Sequence, residues 1–573
     1  MSERPLSRLS GAEAIAKFLK ARRVKRVYGV IGGHIQPICD ALVRIGIDFV
    51  DTRHECAAVY MAHAEARLTG NFGVIMATAG PGVTNAVTGI ANADVARVPV
   101  LVISGRVPRP QDGMSSMQDI PQAEIVRPLC RRVEVVWSAS HILPRLDATV
   151  RAAMGSDGAP GPAYIDFATD IQREILPKAD LNPAWLEPWQ PSVMEPEADQ
   201  LDAAAALLRA SRRPLVLAGQ QVHGCCAELE DFLEKTGAIY LDTTESRGAL
   251  PGGHPANVPA MRGNAMKESD VIITLGRKLD FQVAFGSPAI FGADTKFIRV
   301  GRNDDDVSGN RRADAEIKAD VAPVLRQLTN RDIAPSNPDR SWYKEITQRN
   351  AERKEGLVNK IRQLPSHDGI HPYSLIDAVN AHVDEETIAV IDGGDILSFA
   401  RVAISDAAAL LDPGALGCIG VGGAFANAAA LCQPDKKVVA VIGDGSFGFN
   451  AMEIHTSSRK DAKVVMVIAN NSGWNIDKHD QIENYNGNLV GVELGSCRYD
   501  QIATAVGAYG ERVEKIEDLP GALERAFKNA PALLDVVVDP TPQSPDFLSG
   551  MAYVHDLQVL GRWHEQEVNW RAE

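Results

Sequence analysis

The chain has 573 residues, of which 45% are hydrophobic and 23% charged, and a formal net charge of −15. These are globular proportions; the length calls for about three domains rather than one core, and the acidic balance argues against a nucleic-acid partner. Eight cysteines without a CxxC pair suit a reducing cytoplasm, and no stretch approaches the ~18 apolar residues of a membrane span.

In chain order, Val27 to Val30 reads as a strand running into the turn Ile31-Gly32-Gly33-His34. Phe49 to Glu55 is a second strand ending in a polar cluster, followed by an alanine-rich helix from Cys56 to Leu68. Glu55 stands at the helix start, where a carboxylate is favourable as a cap alone. Five prolines between Pro177 and Pro196 mark a surface connector, because proline continues neither helix nor central strand. A second break runs from Ile333 to Pro372, with a charged helical stretch from Trp342 to Arg362. The blocks are therefore 1–180, 195–330 and 365–545, with a tail of 546–573. Alternating apolar strands and helical patterns in each imply an α/β fold of three doubly wound parallel-sheet domains. There is no internal sequence repeat, and Asp304-Asp305-Asp306 reads as a solvated turn.

The third block carries the chemistry. Val438 to Ile442 is a buried-strand pattern ending at Gly443-Asp444-Gly445, and Glu453 to Arg459 reads as the helix that follows. A second apolar run, Val464 to Ala469, ends at Asn470-Asn471-Ser472-Gly473. Mg²⁺ takes a carboxylate, neutral oxygens and the phosphates of its ligand; Asp444, the Asn471 amide and the Gly473 carbonyl provide such a set. Gly443 and Gly445 shape a strand-to-helix turn whose free N–H groups favour an anion. Ser446, Phe447 and Asn475 are further candidate contacts at the same end.

The segment Gly443 to Gly473 resembles the thiamin-diphosphate motif. The order of motifs resembles the pyruvate oxidase/acetohydroxyacid synthase-like family along nearly the whole chain. The resemblance implies a pyrimidine-binding first domain, a nucleotide-fold middle domain and a diphosphate-binding third domain. It implies that Glu55, in Arg53-His54-Glu55, donates to the aminopyrimidine and so activates the cofactor. Ile391-Asp392-Gly393-Gly394-Asp395-Ile396 resembles a second diphosphate turn, giving Gly394, Asp395 and Ile396 as contacts. Ile419, in Gly417-Cys418-Ile419-Gly420, falls where synthases carry the apolar prop beneath the thiazolium; the residues alone fit a core isoleucine equally well.

Reaction type rests on the first block. Benzaldehyde lyase resembles the Val27 to His34 stretch with a histidine in the His34 position, whereas synthases have a small apolar residue there. A histidine placed to take a hydroxyl proton suits cleavage of the adjacent carbon–carbon bond. Gln118, in Met117-Gln118-Asp119, matches the glutamine that relatives place beside the reacting carbon. Glu493 is a candidate second polar group near the substrate. Phe447 to Glu453 is similar to a run in 2-hydroxyacyl-CoA lyases and oxalyl-CoA decarboxylases. Gly276 to Asp280 and Asn310-Arg311 resemble the ADP-binding surface of that branch, although Gly301 stands where an acidic ribose contact is expected. The expectation is a thiamin-diphosphate- and Mg²⁺-dependent carbon–carbon lyase of a 2-hydroxyacyl-CoA. The alternatives are an acyloin lyase like benzaldehyde lyase and an acetolactate-type carboligase. The resemblance further implies a small-molecule or acyl-CoA substrate, no membrane partner, and a homodimer as the minimum unit, with a homotetramer common. The aromatic tail after Ser544 is expected to fold down as a lid.

Overall fold

The computed structural model describes residues 9–549 apart from 157, 178–179, 189–191, 244, 289, 337–339, 362–363, 366–367 and 405–406. Apart from the short helix Pro545–Ser549, the expected lid lies outside the described residues.

Three sheets follow one another along the chain. The first has the order Asp48–Asp51, Arg26–Gly29, Gly73–Ala77, Val100–Arg106, Pro162–Ala168 and Val133–Val136. The middle sheet contains five strands between Pro214 and Lys318, and the third contains six between Thr387 and Val537. Every ladder between these strands is parallel, with helices in the crossovers. Strands buried on both faces need no polar alternation, which is why 464–469 and 100–103 read as unbroken apolar runs within Val464–Asn470 and Val100–Arg106. With strands numbered within each unit, the first and third sheets share the order 2-1-3-4-6-5. The sequence carries no repeat that announces this.

The first and third units meet along a seam of small residues. Helix Glu55–Thr69 is buried nearly all round and ends at Gly70, whose φ of 68° gives the left-handed cap. Helix Pro81–Val95 packs against it so closely that a Cβ on Gly89 would lie 2.6 Å from Val59 Cβ. On another side lies helix Gly422–Cys432, buried from Gly422 to Ala430, whose Phe425 ring meets His63 at 5.0 Å and Tyr60 at 6.1 Å. Alanine and glycine at such a seam let backbones approach and bury apolar area without voids.

One expectation fails here. Asp304-Asp305-Asp306 is not merely a solvated turn: it opens the short helix Asp304–Val307, capped by Asn303. Asp306 is buried and paired with Arg97 of the first unit. Residue type argued for solvent; a buried cation from another domain reverses that.

Candidate functional site

The glycine turn forms where two neighbouring strands end. Lys437–Gly443 and Val464–Asn470 run parallel with Gly443 beside Ala469, so Asp444 and Asn471 leave the sheet side by side. The helix that follows is not the one beginning at Glu453, as expected. A shorter helix, Asp444–Phe449, starts on the motif itself with Gly443 as its cap, and Glu453–Lys460 comes after it. The first-turn N–H groups therefore lie at the motif without intrahelical acceptors.

A cavity of about 160 Å³ opens at this point. Gly394, Asp395, Ile396, Ile419, Gly443, Asp444, Gly445, Ser446, Asn471, Gly473 and Asn475 all line it, so residues from four separate sequence motifs converge. Asp444 is 2% exposed, and its Oδ2 has no hydrogen-bond partner among the described residues. Burial pushes its carboxyl up to about 6, against the opposing N–H groups of Gly445, Ser472 and Gly473. Asn471 Oδ1 accepts from Gly473 N at 3.1 Å, which shapes the loop. Asn475 Nδ2 donates to Asp395 Oδ2 at 3.0 Å; burial raises the Asp395 carboxyl, and this bond opposes the rise.

Two candidates lie off this cavity. Phe447 packs edge-on against Tyr499, with ring centroids 5.5 Å apart. Glu493 bridges Gly473 through its backbone, while its side chain pairs with Lys478 at 3.1 Å on the surface.

Asp392 was not singled out as a site residue, yet it organises the Ile419 loop. Its Oδ2 accepts from Gly420 N at 3.0 Å and Gly422 N at 2.8 Å. Burial drives this carboxyl to about 7, opposed by those N–H groups. The signal available in sequence was a polar residue ending an otherwise apolar strand, Thr387–Asp392.

The first unit holds the other candidates. Glu55 is buried at the start of its helix, and its Oε2 accepts from Asn85 Nδ2 at 3.0 Å. The helix cap is not Glu55 but His54, whose Nδ1 accepts from Cys56 N at 3.1 Å. That leaves the glutamate free of the capping role that its position alone suggests. His34 and Gln118, 84 residues apart, come together around Thr78. His34 Nδ1 lies 3.2 Å from Thr78 Oγ1, and Thr78 Oγ1 donates to Gln118 Oε1 at 3.5 Å. With the threonine proton directed to Gln118, its oxygen accepts Nδ1–H and leaves Nε2 with the basic lone pair. Burial lowers the His34 pKa, and Gln118 partly opposes that. Gln118 holds a φ of 67°, in the left-handed region that non-glycine residues occupy at a cost. Gly80 makes room for it, since a Cβ there would lie 2.8 Å from Gln118 O. Thr78 and Asn85 were missed; the signal was the Gly80-Pro81-Gly82 turn after the buried strand Gly73–Ala77.

Among the described residues, none of the first unit lines the Asp444 cavity. The Glu55 and His34 groups and the Asp444 cavity are thus separate clusters within one chain.

A larger cavity, about 700 Å³, lies between the first and middle units. Arg67, Arg97, Arg277 and Lys278 line it together with Asp280 and Asp306. A Cβ on Gly301 would lie 2.1 Å from Asp306 Cβ, so glycine at 301 leaves room for the Asp306 side chain that pairs with Arg97. Asn310 and Arg311 are outside the lining; they brace backbone carbonyls of Leu279, Gly286 and Thr295.

The Asp444 cavity fits a metal diphosphate. Its buried carboxylate oxygen, without a hydrogen-bond partner among the described residues, would suit a cation, and its glycines leave backbone N–H groups that would suit an anion. Among the described residues no group of three His, Cys, Asp or Glu side chains could hold a metal. A cation at Asp444 would therefore be completed by neutral oxygens and phosphates.

Sequence comparison agrees with that geometry. Residues 9–125 match the N-terminal TPP-binding domain of thiamine pyrophosphate enzymes, 201–328 their central domain and 394–536 their C-terminal TPP-binding domain. The chain belongs to the thiamine pyrophosphate enzyme family. It is 30% identical over 550 residues to 2-hydroxyacyl-CoA lyase 2 of Caenorhabditis elegans, covering 89% of this chain and 85% of that protein. It is 32% identical over 546 residues to a probable acetolactate synthase of Mycobacterium bovis, covering 94% and 98%. It is also 29% identical over 572 residues to 2-hydroxyacyl-CoA lyase 1 of Mus musculus, covering 95% and 97%.

Proposed function

We propose that this thiamin-diphosphate enzyme is a Mg²⁺-dependent carbon–carbon lyase that cleaves a 2-hydroxyacyl-CoA into formyl-CoA and an aldehyde or ketone, reversibly. The observation that carries the reading is the His34, Thr78 and Gln118 group, a neutral imidazole with a free basic nitrogen held beside an amide. The similarity to proteins named 2-hydroxyacyl-CoA lyase supports it.

Thiamin diphosphate, when bound, supplies the nucleophilic carbon and the electron sink. The chain does the rest. Asp444, Asn471 and the Gly473 carbonyl would hold the metal; Gly394, Asp395, Ile396, Gly443, Gly445, Ser446 and Asn475 would contact the diphosphate; and Ile419 would give the ring system an apolar support. Glu55, oriented by Asn85, would donate to the pyrimidine nitrogen. His34 Nε2 takes the proton of the substrate 2-hydroxyl as the bond between carbons 1 and 2 breaks, and the new carbonyl forms on carbon 2. Gln118 donates to the oxygen that changes charge.

A second reading is an acetolactate-type carboligase, favoured by the similarity to a protein named acetolactate synthase; an acyloin lyase is a third. The deciding experiment is a mass-spectrometric screen of the cofactor-loaded enzyme against 2-hydroxyacyl-CoAs, acyloins and pyruvate. Formyl-CoA formation supports the lyase. Acetolactate from pyruvate, with no acyl-CoA cleavage, would sink it.

Three further elements complete the reading. The Glu55 and His34 group and the Asp444 cavity belong to opposite subunits of at least a homodimer, with a homotetramer expected; that no described residue of the first unit lines the cavity supports this. The 700 Å³ cavity would take ADP, with Arg67, Arg97, Arg277 and Lys278 as the cations available to its phosphates. The enzyme works in the cytoplasm; no helix among the described residues is long and apolar enough to cross a membrane.

A further inference from the structure

We propose that Glu453, with Arg459 and Lys460 on the same helix, is a positioning residue for Glu55, clamping the loop that carries the acid onto the third unit. The proposal rests on the reading of Glu55 as the activating acid.

Glu453 begins helix Glu453–Lys460 and is 1% exposed. Its Oε1 accepts the backbone N–H of Arg53 at 2.8 Å, across 400 residues of sequence. Two turns on, Arg459 pairs with the Asp51 carboxylate and donates to the Asp51 carbonyl at 2.7 Å. Lys460 Nζ donates to Phe49 O at 2.9 Å and lies 3.6 Å from Asp48. One short helix thus holds Asp48 to Arg53, the end of the strand from which the Glu55 helix departs.

The helix is itself fixed from behind. Asn427 Nδ2 donates to Glu453 O at 2.8 Å, and Ser457 Oγ donates to Asn427 Oδ1 at 2.6 Å. Burial of a carboxylate is unfavourable, and the Glu453 carboxyl is raised by it while the Arg53 N–H opposes the rise. A glutamate with only a packing task would be better replaced by a neutral side chain. Here a buried carboxyl oxygen accepts an N–H two residues before Glu55, where a small displacement matters: a 1 Å misplacement costs about 10²-fold in rate. The Phe447 to Glu453 run, which otherwise signals only kinship, gains a task in this way.

The test compares Glu453→Ala, Glu453→Gln and Arg459→Gln in the full-length protein. Deuterium uptake of residues 48–56 is followed without cofactor. The rate of C2 proton exchange and the affinity for thiamin diphosphate are measured with it. Glu453→Ala is expected to raise uptake at Arg53 to Cys56 and slow C2 exchange by about 10²-fold, with cofactor affinity within about threefold because the diphosphate half-site is untouched. Glu453→Gln keeps an acceptor oxygen and is expected to restore most of the exchange rate. Arg459 is at the surface, so Arg459→Gln folds even if Glu453→Ala does not; its expected effect is smaller and in the same direction. Unchanged C2 exchange in both Glu453→Ala and Arg459→Gln overturns the proposal, as does a loss in Glu453→Gln equal to that in Glu453→Ala. If Glu55→Gln exchanges at the normal rate while uptake at 48–56 still rises in Glu453→Ala, the clamp stands and the role of Glu55 falls.

Discussion

Asn85 Nδ2 donates to Glu55 Oε2 at 3.0 Å across the seam between helices Glu55–Thr69 and Pro81–Val95. The bond orients a buried carboxyl and leaves its second oxygen for another partner. Glu55→Gln keeps the shape and removes the acid. C2 proton exchange should fall by about 10²-fold or more, while thiamin diphosphate still binds. Proton exchange followed by NMR on the loaded enzyme checks this, and a normal rate removes Glu55 from the chemistry.

His34 works only if it is neutral. Its pKa is lowered by burial from 6.5, so the acidic limb of the kcat/KM profile should lie below pH 6.5. The same shift bears on stability: the unfolded chain binds the proton more readily, so this stabilising contribution is present above 6.5 and is lost as pH falls through the lower folded value. His34→Ala should lower kcat/KM for cleavage by about 10²-fold and flatten that limb, with little change in cofactor affinity. An unchanged profile would falsify the base assignment.

Asp444 has a buried carboxylate oxygen without a hydrogen-bond partner among the described residues. Asp444→Ala should weaken Mg²⁺-dependent binding of thiamin diphosphate by about 10²-fold, since a lost charged ligand costs several kcal/mol. Titration calorimetry with and without Mg²⁺ measures the loss, and equal affinities in variant and wild type would exclude the metal role.

Asp392 gives a prediction free of cofactor. Its carboxyl, near 7 when folded, lies far above the ordinary 3.8, so the folded chain binds the extra proton and stability falls as pH rises from about 4 to 7. Asp392→Asn should flatten that slope in denaturant titrations. Asp392→Ala leaves the Gly420 and Gly422 N–H groups unsatisfied and should cost about 1–3 kcal/mol for each. A pH slope unchanged in Asp392→Asn would assign the dependence elsewhere.

The Asp444 cavity is legible in the sequence because each of its pieces is a short motif readable by itself. Gly443-Asp444-Gly445 and Asn471 sit at strand ends whose apolar runs advertise themselves, and parallel pairing brings neighbouring ends together. Glu55, His34 and Gln118 required a resemblance, because nothing local separates a helix-start glutamate from a cap. What stays hidden depends on partners distant in sequence. Asn85 is one of several polar residues on helix Pro81–Val95, Asp306 looks like surface until Arg97 arrives from another domain, and the Glu453 bond spans 400 residues. The exposed side chain of Glu493 is equally unreadable, since alternation in a loop has no fixed period.

Gly445 has one further consequence. A Cβ on it would lie 2.5 Å from the Trp474 ring, so the indole rests directly on the turn and lines the cavity beside Asp444. A fluorophore in that position senses the local field and polarity, which change when a divalent ion and an anion replace water. Tryptophan emission is therefore expected to change when thiamin diphosphate and Mg²⁺ are added, and Trp474→Phe is expected to remove that change from the signal of the seven tryptophans.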